Sequence, residues 1–153
     1  MSGVEVRRGQ RVPNEVESLL RSLRDWFELE EPLMGYVADA RSHDAYTAVI
    51  DKEVVGALIA KHHGRFSSEV HLMAVTPSLH RRGIGRKLLG ALQEDLVTQS
   101  VEFLQVKTLG PSYPSDEYER TRLFYESMGF RPLEEIEGLW PGNPCLIMVK
   151  FLG

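Results

Sequence analysis

Cysteine is almost absent from the 153-residue chain, in which Cys145 is the only one. No internal disulfide can form, so a reducing, cytoplasmic setting is the simplest expectation. Cys145 lies in an apolar run over 145–149, which favours a packing thiol over a nucleophile.

Long apolar segments are also missing. The longest run, Val54–Ala60, is far shorter than the ~18–20 residues that span a bilayer. The first residues, 1–11, carry charges but no apolar stretch of the kind found in secretory signals. We therefore expect neither a membrane span nor a secretory signal.

The chain also lacks a surplus of positive charge. The chain has 18 Lys and Arg against 22 Asp and Glu, a net charge of −4. Proteins that coat nucleic acid rely on such a surplus, so this function class is disfavoured. The length fits about one domain, and with no repeat or long linker we predict a single domain over 1–153.

Apolar residues follow strand and helix spacing in turn along the chain. A short strand is predicted at Val4 and Val6, and Pro13 begins a helix whose apolar face is Val16, Leu19, Leu20, Leu23 and Phe27. Further helices are predicted over 33–40, from Ile84 to Leu96 and over 117–128, and strands over 45–50, 54–60, 69–75, 101–106, 131–137 and 144–151. This alternation predicts a mixed sheet with helices on its faces.

The segment 80–87 is the most informative part of the sequence. It carries four positive charges between a predicted strand and a predicted helix, so the rest of the chain carries −8. Gly83 and Gly85 let a ligand approach the backbone, and the N–H groups at a helix start attract anions, which fits a phosphate. The other reading is a solvated basic loop. A dinucleotide-binding fingerprint and a P-loop both require residues that are missing here.

Several motifs together resemble the GNAT superfamily of N-acetyltransferases. They are Val75-Thr-Pro77, Arg81-Arg-Gly-Ile-Gly-Arg86, Phe124-Tyr125 and Gly129-Phe130. His80 stands where the family usually has Gln or Arg. The resemblance implies an α/β (α+β) fold, with a mixed, mostly antiparallel central sheet of about seven strands flanked by about four helices.

The resemblance also implies acetyl-CoA as co-substrate, with no metal. The positions that carry over are Met73, Ala74 and Val75 for the pantetheine arm and acetyl group, and Arg81, Arg82, Gly83, Ile84, Gly85 and Arg86 for the pyrophosphate. Tyr118 and Thr121 stand where many members have Asn and Ala, of which the Asn usually contacts the coenzyme.

The implied reaction is acetyl transfer to a primary amine of a small molecule or peptide by direct attack. Tyr125 matches the tyrosine that many members use to protonate the coenzyme A sulfur. Glu69, fourteen residues before Gly83, resembles the general base of the histone-acetylating branch. His71 lies on the same strand face and is a second candidate, because an imidazole of pKa ~6.5 suits proton relay. Asp116, Glu117 or a water molecule remain alternatives.

The sequence says less about the acceptor and about partners. An acidic group near the end of the first helix, at Asp25, Glu28, Glu30 and Glu31, would attract a cationic amine, although solvated helix ends are commoner. Trp140, predicted in the loop before the last strand, could cover a substrate, cap the core or seal a homodimer contact. Two rival functions stay open: a non-catalytic acyl-CoA-binding regulatory module, and nucleic-acid binding through the basic loop.

Overall fold

The computed structural model describes residues 3–23 and 30–153. Its elements in chain order are β1 Glu5–Gln10, α1 Pro13–Ser22, α2 Glu30–Ser42, β2 Ala45–Ile50, β3 Glu53–His62, β4 Ser67–Val75, α3 Ile84–Thr98, β5 Phe103–Leu109, α4 Asp116–Ser127, β6 Arg131–Trp140 and β7 Asn143–Phe151. A short 3-10 turn, Pro77–Leu79, lies between β4 and α3.

The strands form one mixed sheet in the order β1-β2-β3-β4-β5-β7-β6. The pairs β1–β2, β2–β3, β5–β7 and β6–β7 are antiparallel, whereas β4 and β5 are parallel. A parallel pair needs a long crossover connection, and α3 supplies it. The seven-stranded, mostly antiparallel sheet with four helices confirms the predicted fold class.

The described residues form two compact units. The first comprises residues up to 61 together with 71–96, and the second comprises 62–70 with 97–153. In the first unit, α1 buries Val16, Leu19 and Leu20, as their three- and four-residue spacing predicts. In the second unit, Phe130, Leu104, Met148 and Cys145 are fully buried. Burial also raises the pKa of the Cys145 thiol, which fits the predicted packing role.

Most predicted elements are present, with shifted ends. The second helix begins at Glu30, so Pro32 lies in its first turn, where no backbone donor is needed. The strand predicted over 101–106 runs from Phe103 to Leu109. Phe27, assigned to the first helix, lies outside the described residues.

The prediction of a loop before the last strand was wrong. β6 continues to Trp140, which pairs with Asn143 across a turn at Pro141 and Gly142. The register shifts between Ile136 and Trp140, and Gly138 has a φ of +90°. A bulge of this kind accommodates the glycine inside the strand, so Trp140 lies half-buried at a strand end instead of in a loop. No described helix is long and apolar enough to cross a membrane.

Candidate active site

The loop between β4 and α3 is anchored to the strands of the first unit. The backbone N–H of Thr76 donates to the carbonyl of Val55 at 2.8 Å, and Leu79 N–H donates to Thr76 at 2.9 Å. The Nε2–H of His80 donates to the carbonyl of Val75 at 2.8 Å. His80 therefore ties the loop to the end of β4.

Two residues give this loop its shape. Arg81 and Gly83 have φ values of +66° and +79°, in the left-handed region. The first helical hydrogen bond of α3 runs from Lys87 N–H to the Gly83 carbonyl, at 3.0 Å. The N–H groups of the first turn, 84–86, have no acceptor within the helix and can bind an anion.

The side chains of the loop divide into two groups. Ile84 is buried and packs in the core, so only its backbone can meet a ligand. The four cationic residues are exposed around the helix start: Arg81, Arg82, Arg86 and Lys87. Their charge adds to the positive end of the helix dipole, which makes this loop the most cationic part of the chain.

Alternate residues of β4 occupy its two faces. Val70, Leu72 and Ala74 are buried, whereas His71 and Met73 are partly exposed. Ala74 therefore offers a ligand only its backbone, and the face that carries His71 and Met73 is the accessible one.

Tyr125 lies in α4 of the second unit and is buried. Its ring packs edge to face on Phe124 and Phe130, with centroids 5.3 and 5.4 Å away. The side chain is 4% exposed, and burial raises the pKa of the Tyr125 phenol. The hydroxyl therefore keeps its proton at neutral pH, as a proton donor must. After Tyr125 the helix ends at Ser127, and Gly129, which follows the C-cap Met128, has a left-handed φ of +96°.

The start of α4 carries the other coenzyme candidate. Ser115 caps the helix by accepting the Tyr118 N–H at 3.3 Å. Burial and the nearby Glu117 raise the pKa of Tyr118. Asp116 and Glu117, two of the alternative bases, are exposed in the first helical turn, where a negative charge stabilises the helix dipole.

Glu69 is a buried carboxylate held by a lysine and a histidine in the second unit. Its Oε1 accepts from Lys107 Nζ at 2.9 Å and from His63 Nε2 at 2.6 Å. Burial raises the pKa of Glu69, but the hydrogen bonds and charges of Lys107 and His63 outweigh it, and the pKa is lowered. Such a carboxylate is ionised at neutral pH and is a weak base.

His71 has a carboxylate partner within the first unit. Its Nε2 lies 2.7 Å from Oδ2 of Asp39, a residue of α2. The Tyr36 ring lies beside it, with centroids 5.8 Å apart. The His71 side chain is 20% exposed, so solvent reaches the imidazole.

A family model for the acetyltransferase (GNAT) domain matches residues 41–132. The chain belongs to the GNAT acetyltransferase family. This match covers the loop, β4 and Tyr125.

Solved GNAT structures share the fold. One is a protein assigned to the GNAT family from Desulfovibrio desulfuricans, with a TM-score of 0.84, 20% identity, and 99% of this chain and 100% of that chain covered. The aminoglycoside 6'-N-acetyltransferase from Enterococcus faecium has a TM-score of 0.75 and 20% identity over 97% of both chains. A GNAT acetyltransferase from Elizabethkingia anophelis, solved with acetyl-CoA bound, has a TM-score of 0.71 and 16% identity over 97% of both chains.

A curated relative is considerably longer than this chain. It is an uncharacterized protein of Mycobacterium leprae (strain TN), 26% identical over 129 residues. The match covers 80% of this chain and 33% of the relative, so the chain spans about a third of that protein's length.

Three residues that contact the candidate bases were not predicted from the sequence. Asp39, His63 and Lys107 each contact a predicted base, yet none lies within a recognisable motif. Lys107 could have been found from the parallel register, because Glu69 faces Gln105 and Lys107 lies two residues further along β5. Asp39 depends on how α2 packs, for which the sequence carries no signal.

The remaining sequence predictions concern a metal ion and the acidic group near the first helix. His62 bonds Ser68 at 2.8 Å, and within the described ranges no group of three His, Cys, Asp or Glu side chains could hold a metal ion. Of the acidic group near the first helix, Asp25 and Glu28 lie outside the described residues, as do the side chains of Glu30 and Glu31.

Proposed function

We propose that this chain transfers the acetyl group of acetyl-CoA to a primary amine by direct attack, without a covalent enzyme intermediate. The observation that carries the proposal is the cationic loop at the start of α3, with its two left-handed residues and its first-turn N–H groups. Family membership supports it, and the Elizabethkingia anophelis relative was solved with acetyl-CoA bound.

The coenzyme would lie along β4 and the loop of the first unit. The backbone of 73–75 binds the pantetheine arm and acetyl group, and the loop 81–86 holds the pyrophosphate. Tyr118 is the remaining proposed coenzyme contact. The chemistry requires no metal ion, because a thioester is already an activated acyl donor.

The reaction needs one group that accepts a proton from the amine and one that donates a proton to the sulfur. The amine nitrogen attacks the thioester carbonyl carbon, the C–S bond breaks, and the nitrogen loses a proton as the amide forms. Tyr125 donates its phenolic proton to the departing sulfur, giving the coenzyme A thiol. Burial supports this role, since it keeps the phenol protonated.

Two candidates for the base lie on the same face of β4. At a rise of roughly 3.4 Å per residue, His71 lies about 7 Å and Glu69 about 14 Å along the strand from Met73. The weak basicity of Glu69, which its partners hold ionised, also favours His71. We therefore propose His71 as the direct proton acceptor, with Glu69 as a more distant candidate.

The acceptor class is an amine that is cationic in water and loses one proton to the solvent before it attacks as the neutral amine. Outside the loop the chain carries −8, which favours the approach of a cation. The Enterococcus faecium relative, an aminoglycoside acetyltransferase, is consistent with such an acceptor. We also propose that residues 1–153 act as one acetyltransferase domain.

Thiol release from acetyl-CoA tests the proposal directly. The purified chain is mixed with acetyl-CoA and a panel of polyamines, aminoglycosides and peptides, and the free thiol is followed. Amine-dependent release with a matching acetylated product is the expected result. Coenzyme binding without release across the panel would favour the non-catalytic acyl-CoA-binding module.

The loop geometry predicts the effect of Gly83→Ala. Alanine pays roughly 1–2 kcal/mol to stay left-handed, so the loop relaxes and its N–H groups shift. We expect the Kd for acetyl-CoA, measured by calorimetry, to rise about tenfold, which corresponds to about 1.4 kcal/mol.

A matched control for this variant is Gly142→Ala, in the turn between β6 and β7. Gly142 has a φ of +75°, and neither glycine would place a Cβ within 4 Å of another group. Both variants therefore carry the same backbone strain, but Gly142→Ala should leave the Kd unchanged. Equal affinities in both variants would contradict the phosphate-loop assignment.

A further inference from the structure

The contact between α2 and β4 assigns a role to a residue outside every motif. We infer that Asp39 is a positioning residue that fixes one tautomer of His71 and so makes its other nitrogen the base for the acceptor amine. The inference rests on the acetyl transfer proposed above.

The argument starts from the chemistry of the 2.7 Å contact between Asp39 Oδ2 and His71 Nε2. An ionised carboxylate can only accept a hydrogen bond, so Nε2 must carry the proton in neutral His71. The lone pair then lies on Nδ1. Without the carboxylate the neutral imidazole is a mixture of two tautomers. The tautomer protonated at Nδ1 has no lone pair on that nitrogen and cannot act as the base there.

The carboxylate also stabilises the product of proton transfer. When Nδ1 takes the amine proton, His71 becomes an imidazolium, and its positive charge then lies beside Asp39. A buried aspartate supports histidine bases in the same way elsewhere. The imidazolium returns its proton to water, which reaches the side chain.

The other groups packed against His71 do not compete for this role. Tyr36 presents its ring, and the His43 ring lies 6.4 Å away between centroids. His43 Nδ1 is already within 3.0 Å of the Asp39 carbonyl and of Ser42 Oγ. Among the described side chains of α2, Asp39 is therefore the anionic one that faces His71.

Asp39→Asn tests the inference, because it keeps the shape and removes the charge. We expect kcat to fall 10- to 100-fold with the KM for acetyl-CoA within twofold. His71→Gln should lower kcat by at least as much, and combining it with Asp39→Asn should cause no further loss. Asp39→Glu should recover part of the rate.

Asp44→Asn is the control for loss of a nearby charge. Asp44 lies 3.8 Å from Arg11 and has no histidine partner among the described ion pairs. It should leave kcat within twofold and the His71 tautomer unchanged.

A second readout is independent of activity. Nitrogen-15 spectra of the histidine rings, recorded on the coenzyme-free chain, should show His71 protonated at Nε2, with a larger Nδ1-protonated fraction after Asp39→Asn. An unchanged tautomer together with an unchanged kcat would overturn the inference while leaving acetyl transfer intact. Absence of thiol release by the wild-type chain with every amine would instead overturn the proposed function, whatever the spectra show.

Discussion

Tyr125→Phe is expected to lower kcat by about 10²–10³-fold, within the range that a positioned acid or base contributes. The change removes only the hydroxyl that would protonate the coenzyme A sulfur. The KM for acetyl-CoA should change little, because that proton is needed only as the C–S bond breaks. Steady-state thiol release with an identified amine measures both constants.

The structure separates this effect from a loss of stability. The Tyr125 ring packs on Phe124 and Phe130, and a phenylalanine ring can occupy the same position. The melting temperature should therefore stay close to that of the wild type. Tyr113→Phe, at a side chain that is 49% exposed, is the control and should leave kcat unchanged. Full activity of Tyr125→Phe across the pH range would show that another group donates the proton.

Burial of Tyr125 also predicts the alkaline side of the pH profile. A free phenol loses its proton near pH 10. Because burial raises the pKa of Tyr125, the proton-donating form persists above that pH. A decline in kcat that begins well below pH 10 must therefore come from another group.

The parts of the site that could be predicted from sequence are those whose geometry is local. The positive φ of Gly83, the start of α3 at Ile84 and the cap at Gly129 all depend on residues close in the chain. The chain's net charge conceals the basic loop, since the −8 elsewhere outweighs it. The position of the four charges beside Gly83 and Gly85 predicts an anion site inside an acidic protein.

The parts that could not be predicted depend on register and packing. Spacing places Glu69 on β4, but its partner Lys107 comes from β5 and its partner His63 comes from the connection between β3 and β4. The extent of β6 was also missed, because Gly138 is typical of a loop until a bulge absorbs it. The contact between His71 and Asp39 likewise depends on how α2 packs against β4, which the sequence of neither segment predicts.

Lys107→Met is expected to lower the free energy of unfolding by about 3 kcal/mol at pH 7, as when one partner of a buried ion pair is removed. Glu69 is only 5% exposed, so the carboxylate loses its closest cation without gaining water. Urea unfolding followed by circular dichroism measures the change. Lys52→Met, at an exposed turn, should change the free energy by less than about 0.5 kcal/mol.

The double variant Glu69→Gln with Lys107→Met distinguishes a buried-charge penalty from lost packing. A neutral glutamine needs no cation and can still accept from His63, so the double variant should recover most of the stability lost in Lys107→Met. If it is as unstable as the single variant, the lysine stabilises through its methylene packing and the charge pairing is secondary.

The pH dependence of this stability follows from the lowered pKa of Glu69. A carboxylate whose pKa is lower in the folded state stabilises the fold above its unfolded pKa, near 4.3, and loses that contribution as the pH falls below it. In Lys107→Met the carboxylate has lost the lysine that it faces, and protonation of Glu69 at acid pH removes the charge left without that partner. The destabilisation should therefore be smaller at pH 4 than at pH 7. An equal loss at both values would mean that the lysine stabilises the fold through packing alone.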